Sequence, residues 1–134
     1  METIIRLSFL IVLFSSLLAA ACGESVAPVD VSYQEHIQEG IFNFSCNVSA
    51  CHDGVRQAGL ELTSWETLME GGDKRLVVDP GNAEESPLVW SVEGQDALGV
   101  PVDLMPPTLS GFPQLNRTEI RLIKDWIDQG AKNN

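Results

Sequence analysis

The chain has 134 residues, in which 8 Lys and Arg stand against 19 Asp and Glu, so its formal net charge is −11. This charge would repel a phosphate backbone, which excludes nucleic acid as a partner; a basic partner protein or a highly solvated surface fits better. The length suits a single domain, and because about 110 residues remain after the N-terminal segment, the core can only be modest in size.

The first 21 residues have the pattern of a secretion signal. Leu7 to Leu18 is apolar apart from three serines, and Ala19 to Ala21 are the small residues expected before a cleavage site. The apolar run is short for a bilayer span of about 20 residues. The Leu-Ala-Ala-Ala-Cys-Gly junction at Cys22 resembles a bacterial lipoprotein signal. We therefore predict lipidation of Cys22 and export to the periplasmic or cell-surface side of a bacterial membrane, with a spare thiol or an uncleaved anchor as the alternatives.

The signal peptide (residues 1–21) is followed by a tether (22–31) and one predicted domain (32–134). The domain opens with a helix, because Ser32 and Glu35 have capping-box spacing. Apolar side chains then recur on one helical face that should pack against the core or a cofactor: Tyr33, Ile37, Ile41 and Phe44. His36 lies off this face, so we interpret it as a solvated side chain in preference to a ligand.

The central motif of the chain is Cys46-Asn47-Val48-Ser49-Ala50-Cys51-His52. Two nearby cysteines followed by a histidine are what covalent haem attachment requires: each thiol adds to one vinyl group of the porphyrin, and the histidine offers a ring nitrogen to the iron. The common spacing is C-x-x-C-H, whereas four residues separate the cysteines here. We expect the extra residues to bulge outward, and we predict haem c on Cys46 and Cys51 with His52 as the proximal ligand.

Other uses of the two cysteines stay open at this point. They could form a disulfide in an oxidising compartment. They could bind zinc together with His52 and one further ligand such as His36, although the chain has no second Cys/His pair to complete such a site. They could also be free thiols.

Two short helices are predicted after the motif. Ser64 caps the first, and Gly71-Gly72 ends it. Ser86 caps the second, with Pro87 at the first helical position and Gly94 at the end.

A stiff loop follows these helices. From Ala97 to Pro113 the chain is rich in Gly and Pro and shows no helical period. At its centre, Met105 precedes Pro106-Pro107, which restrict the backbone. A methionine in such a loop can present its thioether to a haem iron at low entropic cost, so we predict Met105 as the distal ligand. Met69 is the competing methionine, but it falls in a predicted helix, where packing in the core is the better interpretation.

The last predicted helix begins at Asn116, where Glu119 completes a capping box. Its apolar residues form one stripe that should face the core: Ile120, Ile123, Trp126 and Ile127. Gly130 is a suitable C-terminal cap.

The order of these pieces resembles the planctomycete-type cytochrome c domain. An opening helix precedes the Cys…Cys-His site, which is followed by Gly-Leu-x-Leu, Gly-Gly, a Val-x-Pro-Gly-like turn, Ser-Pro-Leu, Met-Pro-Pro and a closing Trp-Ile-x-x-Gly-Ala. In this chain these are residues 59–62, 71–72, 78–81, 86–88, 105–107 and 126–131. The resemblance covers about residues 32–131, and the chain departs from the family pattern in the four residues between Cys46 and Cys51.

The resemblance implies an all-α, cytochrome c-like domain with helices and long loops packed around one covalent haem c. It implies that Cys46 and Cys51 attach the haem and that His52 and Met105 are its axial ligands. The expected function is that of a one-electron carrier, or of the subunit through which electrons enter a larger complex. The chain shows no Ser/His/Asp set or other nucleophile arrangement, so we do not expect an enzyme.

The expected partners are redox proteins, and the acidic charge favours those with a basic docking face. Membrane contact is expected through the lipid anchor. Two other functions stay open. One is a haem-free surface lipoprotein that binds a partner and is stapled by a Cys46–Cys51 disulfide. The other is a haem enzyme or gas sensor with an open coordination position.

Overall fold

The computed structural model describes residues 30–54, 56–73 and 75–134. The signal segment, Cys22 and nearly all of the tether lie outside these residues. The described part is helical, which confirms the all-α prediction. Its helices are a π-helix (Tyr33–Phe42), α1 (Asn43–Ser45), α2 (Trp65–Glu70), α3 (Pro87–Glu93) and α4 (Arg117–Asp128), with short 3-10 turns at Gln57–Gly59 and Ala83–Glu85. An isolated antiparallel bridge pairs Gln95 with Pro101. Within the described part, every helix is too short or too polar to cross a membrane.

The first helix begins at the predicted cap, but with a different partner. The Ser32 hydroxyl accepts a hydrogen bond from the Glu35 amide at 3.2 Å, as the capping box predicts. In a capping box the Ser32 amide would donate to the Glu35 side chain, but here it donates to Nδ1 of His36 at 2.9 Å. The prediction of a solvated His36 is therefore wrong: the ring is half-buried and satisfies one of the free amides at the helix start.

The predicted apolar face of this helix is correct except at its end. Tyr33, Ile37 and Ile41 are buried, but Phe44 is 70% exposed, and Gln38 and Phe42 are buried instead. The reason is the π-helical backbone, whose i→i+5 hydrogen bonds put more residues in each turn than the 3.6 of an α-helix. The buried face therefore drifts along the helix and leaves Phe44 on the outside.

The two short helices begin and end where the sequence predicts. Ser64 and Thr67 form a capping box at the start of α2, and Gly71 follows its last residue. Helix α3 starts at Pro87 and stops at Gly94, which has a left-handed φ of 74°. A Cβ at Gly94 would lie 3.3 Å from the Leu104 side chain, so this glycine lets the stiff loop pack against the end of α3.

Helix α4 is the centre of the core. The Asn116–Glu119 capping box forms as predicted. Ile123, Trp126 and Ile127 are fully buried, and Ile120 is partly buried. The Trp126 ring lies 5.4 Å from that of Tyr33, which joins α4 to the π-helix. Burial of side chains of this size contributes roughly 1.5–3 kcal/mol each, so α4 fixes the position of the opening helix.

The last residues of the chain close the core in a way that the sequence did not predict. The indole N–H of Trp65 donates to the Ala131 carbonyl at 2.8 Å, and that of Trp126 donates to Lys132 at 3.0 Å. The Asn134 carbonyl accepts from the Gln34 amide at 3.0 Å, and its side chain accepts from the Tyr33 amide at 2.9 Å. The tail thereby satisfies amides that a helix start otherwise leaves without partners.

Candidate functional site

The loop from Cys46 to His52 begins where the opening helices end. The Phe42 carbonyl accepts from the amides of Cys46 at 2.9 Å and of Asn47 at 2.7 Å. The Cys51 amide then donates to the Val48 carbonyl at 2.9 Å, and the His52 amide donates to the Cys46 carbonyl at 3.3 Å. The last bond closes the loop on itself, so the two cysteines lie at its base.

The extra residues of the loop lie at its tip. Ser49 and Ala50 are exposed, and Ala50 has a φ of 69°. They form the outer part of a turn while Cys46 and His52 are held together below them. The outward bulge that we predicted for the longer spacing is therefore what the structure has.

The two cysteines differ in their surroundings. Both are free thiols in the structure. Cys46 is only 9% exposed, whereas Cys51 is half-buried. Burial raises the pKa of Cys46 to about 12, and the neighbouring Cys51 and Glu119 add to that rise.

The His52 ring is held in one orientation. Its Nδ1 lies 2.9 Å from the Leu60 carbonyl, which can only accept, so Nδ1 carries the proton in this pair. A ring protonated at Nδ1 keeps the lone pair of Nε2 for a metal, and a carbonyl in this place fixes the orientation of the ring. The His52 carbonyl also accepts from the Leu62 amide at 2.9 Å. The Gly-Leu-x-Leu stretch therefore holds both the ring and the backbone of His52 in place.

A buried polar chain supports the site from the core, and sequence reasoning missed it. The Tyr33 hydroxyl donates to Gln38 Oε1 at 2.5 Å. The Gln38 amide group donates to the Leu62 carbonyl at 3.0 Å and to Asn43 Oδ1 at 2.8 Å. Asn43 in turn accepts from the Asn47 side chain at 3.2 Å, inside the cysteine loop. A glutamine five residues after a tyrosine gives no recognised signal, because that spacing pairs side chains only on a π-helix.

Met105 belongs to a different segment from the cysteines. Its amide donates to the Ser91 carbonyl at 2.8 Å, which ties the loop to α3. The Met105–Pro106 peptide is cis, and the Pro106 carbonyl accepts from the Gln114 side chain. The Met105 side chain is 36% exposed. Met69, the competing methionine, packs against the core from α2, as predicted.

The same loop leads into the start of α4. Gln114 lies two residues before the cap of that helix, and the charge of Glu119 in its first turn contributes to the raised pKa of Cys46. No hydrogen bond of the described residues joins Met105 to His52 directly.

The chemistry of these residues suits haem c. Two thiols are available for the two vinyl groups, an imidazole nitrogen is kept free because the Leu60 carbonyl engages the other one, and Met105, which carries a thioether, is partly exposed. Two large aromatic side chains that an apolar macrocycle could cover are also exposed, Phe44 and Phe112. The zinc alternative gains no support, because the described residues hold no group of three or more His, Cys, Asp or Glu side chains arranged for a metal ion.

Comparison with known families gives a match to part of the chain. Residues 49–108 match the family model described as Planctomycete cytochrome C. The matched segment contains Cys51, His52 and Met105, while Cys46 lies three residues before it. This confirms the predicted resemblance to the planctomycete-type cytochrome c domain. No curated protein and no solved structure gave a significant match.

Proposed function

We propose that this chain is a monohaem c-type cytochrome that transfers one electron at a time, and the match of residues 49–108 to the family model described as Planctomycete cytochrome C supports this. The observation that carries this proposal is the loop in which two free thiols lie beside an imidazole whose Nδ1 is engaged by the Leu60 carbonyl. The family match itself supports a cytochrome c-like role and favours electron transfer over catalysis.

The residues have distinct tasks in this proposal. Cys46 and Cys51 would hold the haem through thioether bonds, and His52 Nε2 and the Met105 sulfur would be its axial ligands. The bound haem supplies an iron that changes between ferrous and ferric states, and a methionine ligand favours a higher potential than a second histidine. The protein has to keep both ligands in place and exclude water from most of the macrocycle.

The contacts of each ligand suit that task. Hydrogen bonds at both its side chain and its carbonyl restrain His52, and the second of these runs to Leu62, which Gln38 anchors to the core. Met105 is held by Ser91 on one side, and its neighbour Pro106 is held by Gln114 on the other. A ligand set that is fixed before and after electron transfer keeps the reorganisation of the site small.

We also propose that the protein works at a membrane, through a lipid on Cys22, as a carrier or as the subunit that receives electrons for a larger complex. The support is the signal-like segment and the Leu-Ala-Ala-Ala-Cys-Gly junction. A short tether to a membrane would confine the domain near other redox proteins of the same surface.

The test of covalent haem is the intact mass and visible spectrum of protein made in a host with a c-type cytochrome maturation system. We expect the mass of one haem to remain after denaturation in acidic organic solvent. Cys51→Ala and Cys46→Ala should each remove one thioether and alter the spectrum of the denatured protein. A wild-type protein without this mass, or one that releases its haem into the solvent, would contradict the proposal and favour the haem-free lipoprotein.

The test of the distal ligand compares two methionines. Met105→Ala should open a coordination position, lower the potential and allow rapid binding of carbon monoxide to the reduced protein. Met69→Ala is the matched control and should leave these three properties unchanged. If Met69→Ala has these effects and Met105→Ala does not, the assignment of the distal ligand is wrong. Rapid carbon monoxide binding to the wild type would instead indicate an open site, as in a gas sensor.

A further inference from the structure

The segment around Met105 combines negative charge with exposed apolar side chains. From residue 76 to residue 116 the chain contains no Lys, Arg or His, and it contains six acids: Asp79, Glu84, Glu85, Glu93, Asp96 and Asp103. Glu84 and Glu93 are paired with Lys124 of α4. Asp96 directly precedes the loop and Asp103 lies within it, and the loop supplies no basic side chain to neutralise them.

Two turns of this loop present leucines to the outside. In the first, the Asp96 carboxylate accepts from the amides of Leu98 and Val100, both at 2.9 Å, and the Asp96 amide donates to the Val100 carbonyl. Leu98, at the tip, is 88% exposed. In the second, the Ser110 amide donates to the Pro107 carbonyl at 2.9 Å, and Leu109 is 97% exposed. Both leucines are held outward by hydrogen-bonded backbone.

Single exposed leucines are common on protein surfaces, but an ordered set of them indicates an interaction site. Here Leu98, Val100 and Leu109 occur within twelve residues of one loop, on either side of Met105 in the chain. The charged residues of the segment itself are all acidic, and only Glu84 and Glu93 of them are paired with Lys124, so the segment disfavours anionic surfaces and attracts a basic one. An apolar centre with a charged rim is the usual arrangement of a protein–protein contact.

We propose that the two leucine-tipped turns and their acids form the docking surface for a redox protein whose own docking face is apolar with a lysine or arginine rim. The inference rests on the proposed function, since it assigns the place at which electrons leave or enter next to the Met105 ligand. Electron-transfer contacts are small and short-lived, so a few protruding apolar side chains and electrostatic steering suffice. The step itself moves one electron from the reduced protein to the oxidised partner, with no bond made or broken.

The experiment measures second-order electron-transfer rates by stopped flow. The haem-loaded full-length protein, purified in detergent, is mixed with a mitochondrial cytochrome c as a basic probe, in the direction set by the two measured potentials. The rate is followed over a salt series from about 0.01 M to 1 M, because the Debye length falls from about 30 Å to about 3 Å over that range. Ferricyanide serves as a small reagent that does not need a docking surface.

We expect Leu98→Ser and Leu109→Ser each to lower the rate with the basic probe about fivefold, the effect of truncating a modest interface contact. Asp103→Asn should lower the rate at low salt and flatten its dependence on salt. Two matched controls lie elsewhere: Leu76→Ser, another exposed leucine, and Glu35→Gln, another exposed acid. Both should keep the wild-type rate, and all variants should keep the wild-type spectrum and ferricyanide rate.

The possible failures are separable. A wild-type protein without haem would overturn the proposed function and this inference together. A normal haem spectrum with unchanged rates in both leucine variants, or a rate that does not fall with salt, would overturn the docking surface alone. If the leucine variants alter the spectrum or the ferricyanide rate, the leucines cover the haem and do not dock a partner. Leucine-dependent binding to neutral lipid vesicles without an effect on the rate would show a membrane contact in its place.

Discussion

Gln38 should matter more to the stability of the domain than its residue type suggests. The side chain is 5% exposed and holds three hydrogen bonds, to the Tyr33 hydroxyl, to the Leu62 carbonyl and to Asn43. Replacement by leucine keeps the approximate volume and removes all three. The Tyr33 hydroxyl and the Leu62 carbonyl would then be buried without these partners, while Asn43 would keep its bond from Asn47.

The expected cost follows from these two orphaned groups. A buried polar group without a partner costs about 1–3 kcal/mol, so the pair costs about 2–6 kcal/mol. The apolar side chain of leucine offsets about 1–2 kcal/mol of this by its own burial. We therefore expect Gln38→Leu to lower the free energy of unfolding by about 3 kcal/mol, out of the roughly 5–15 kcal/mol typical of a domain. The corresponding drop in Tm is about 15 °C.

The assay is urea denaturation followed by tryptophan fluorescence, with a double-mutant cycle. Tyr33→Phe in the Gln38→Leu background removes one of the two orphaned groups. The double variant should therefore lose about 1–2 kcal/mol less free energy of unfolding than the two single variants lose together. Gln34→Leu is the matched control, because the Gln34 side chain is exposed and its hydrogen bond runs to Glu39 on the same helix; it should change stability by less than about 0.5 kcal/mol.

Gln38→Leu should also weaken the hydrogen bond that joins Leu62 to His52. Since the Leu62 amide donates to the His52 carbonyl, its hydrogen exchange should become faster in Gln38→Leu and stay unchanged in Gln34→Leu. A loss below about 1 kcal/mol for Gln38→Leu, or strict additivity in the cycle, would refute the view that this polar chain links the core to His52.

Four further outcomes are expected. Asn116→Ala should cost about 1 kcal/mol in urea denaturation, because its side chain caps the two amides of Thr118 and Glu119; an unchanged midpoint would contradict this. In haem-free protein, iodoacetamide at pH 8 should modify Cys51 much faster than Cys46, as peptide mass mapping would show, and equal rates would count against the burial of Cys46. Since the pKa of Cys46 rises from 9.0 to about 12 on folding, its contribution to stability should be complete below pH 9 and disappear as the pH rises towards 12. Cys22→Ser should move the protein from the membrane fraction to the soluble one, unless the signal segment remains as an uncleaved anchor.

Local signals predicted most of the helix boundaries. The caps of α2 and α4 and the Gly94 stop of α3 lie where the sequence placed them, because each depends on residues within one turn of the chain. The apolar stripe of α4 was also correct, since a regular helix of 3.6 residues per turn repeats its pattern faithfully. Cys51, His52 and Met105 fall in the segment that matches the family, as the order of motifs predicted.

The errors arose where distant or irregular structure decides the outcome. Phe44 was placed on the buried face because the pattern was read with an α-helical period, and the backbone is π-helical. His36 was taken as solvated because nothing in its neighbourhood reveals that its ring will accept from Ser32. The role of Asn134 at the start of the first helix joins residues about a hundred positions apart, which no local pattern can show.

The irregular helix and the unusual cysteine spacing have a connection in the structure. The π-helical spacing is what puts Gln38 within reach of both Tyr33 and Asn43, each five residues away. Gln38 also donates to the Leu62 carbonyl, next to the His52 end of the cysteine loop. Through Asn43 it is linked to Asn47, at the Cys46 end of the loop. The bond from the His52 amide to the Cys46 carbonyl closes the loop at its base, so the extra residues lie outside the part that faces His52. A longer spacing between the cysteines therefore need not displace the histidine, and this agrees with a family match that begins within the loop and includes His52 and Met105.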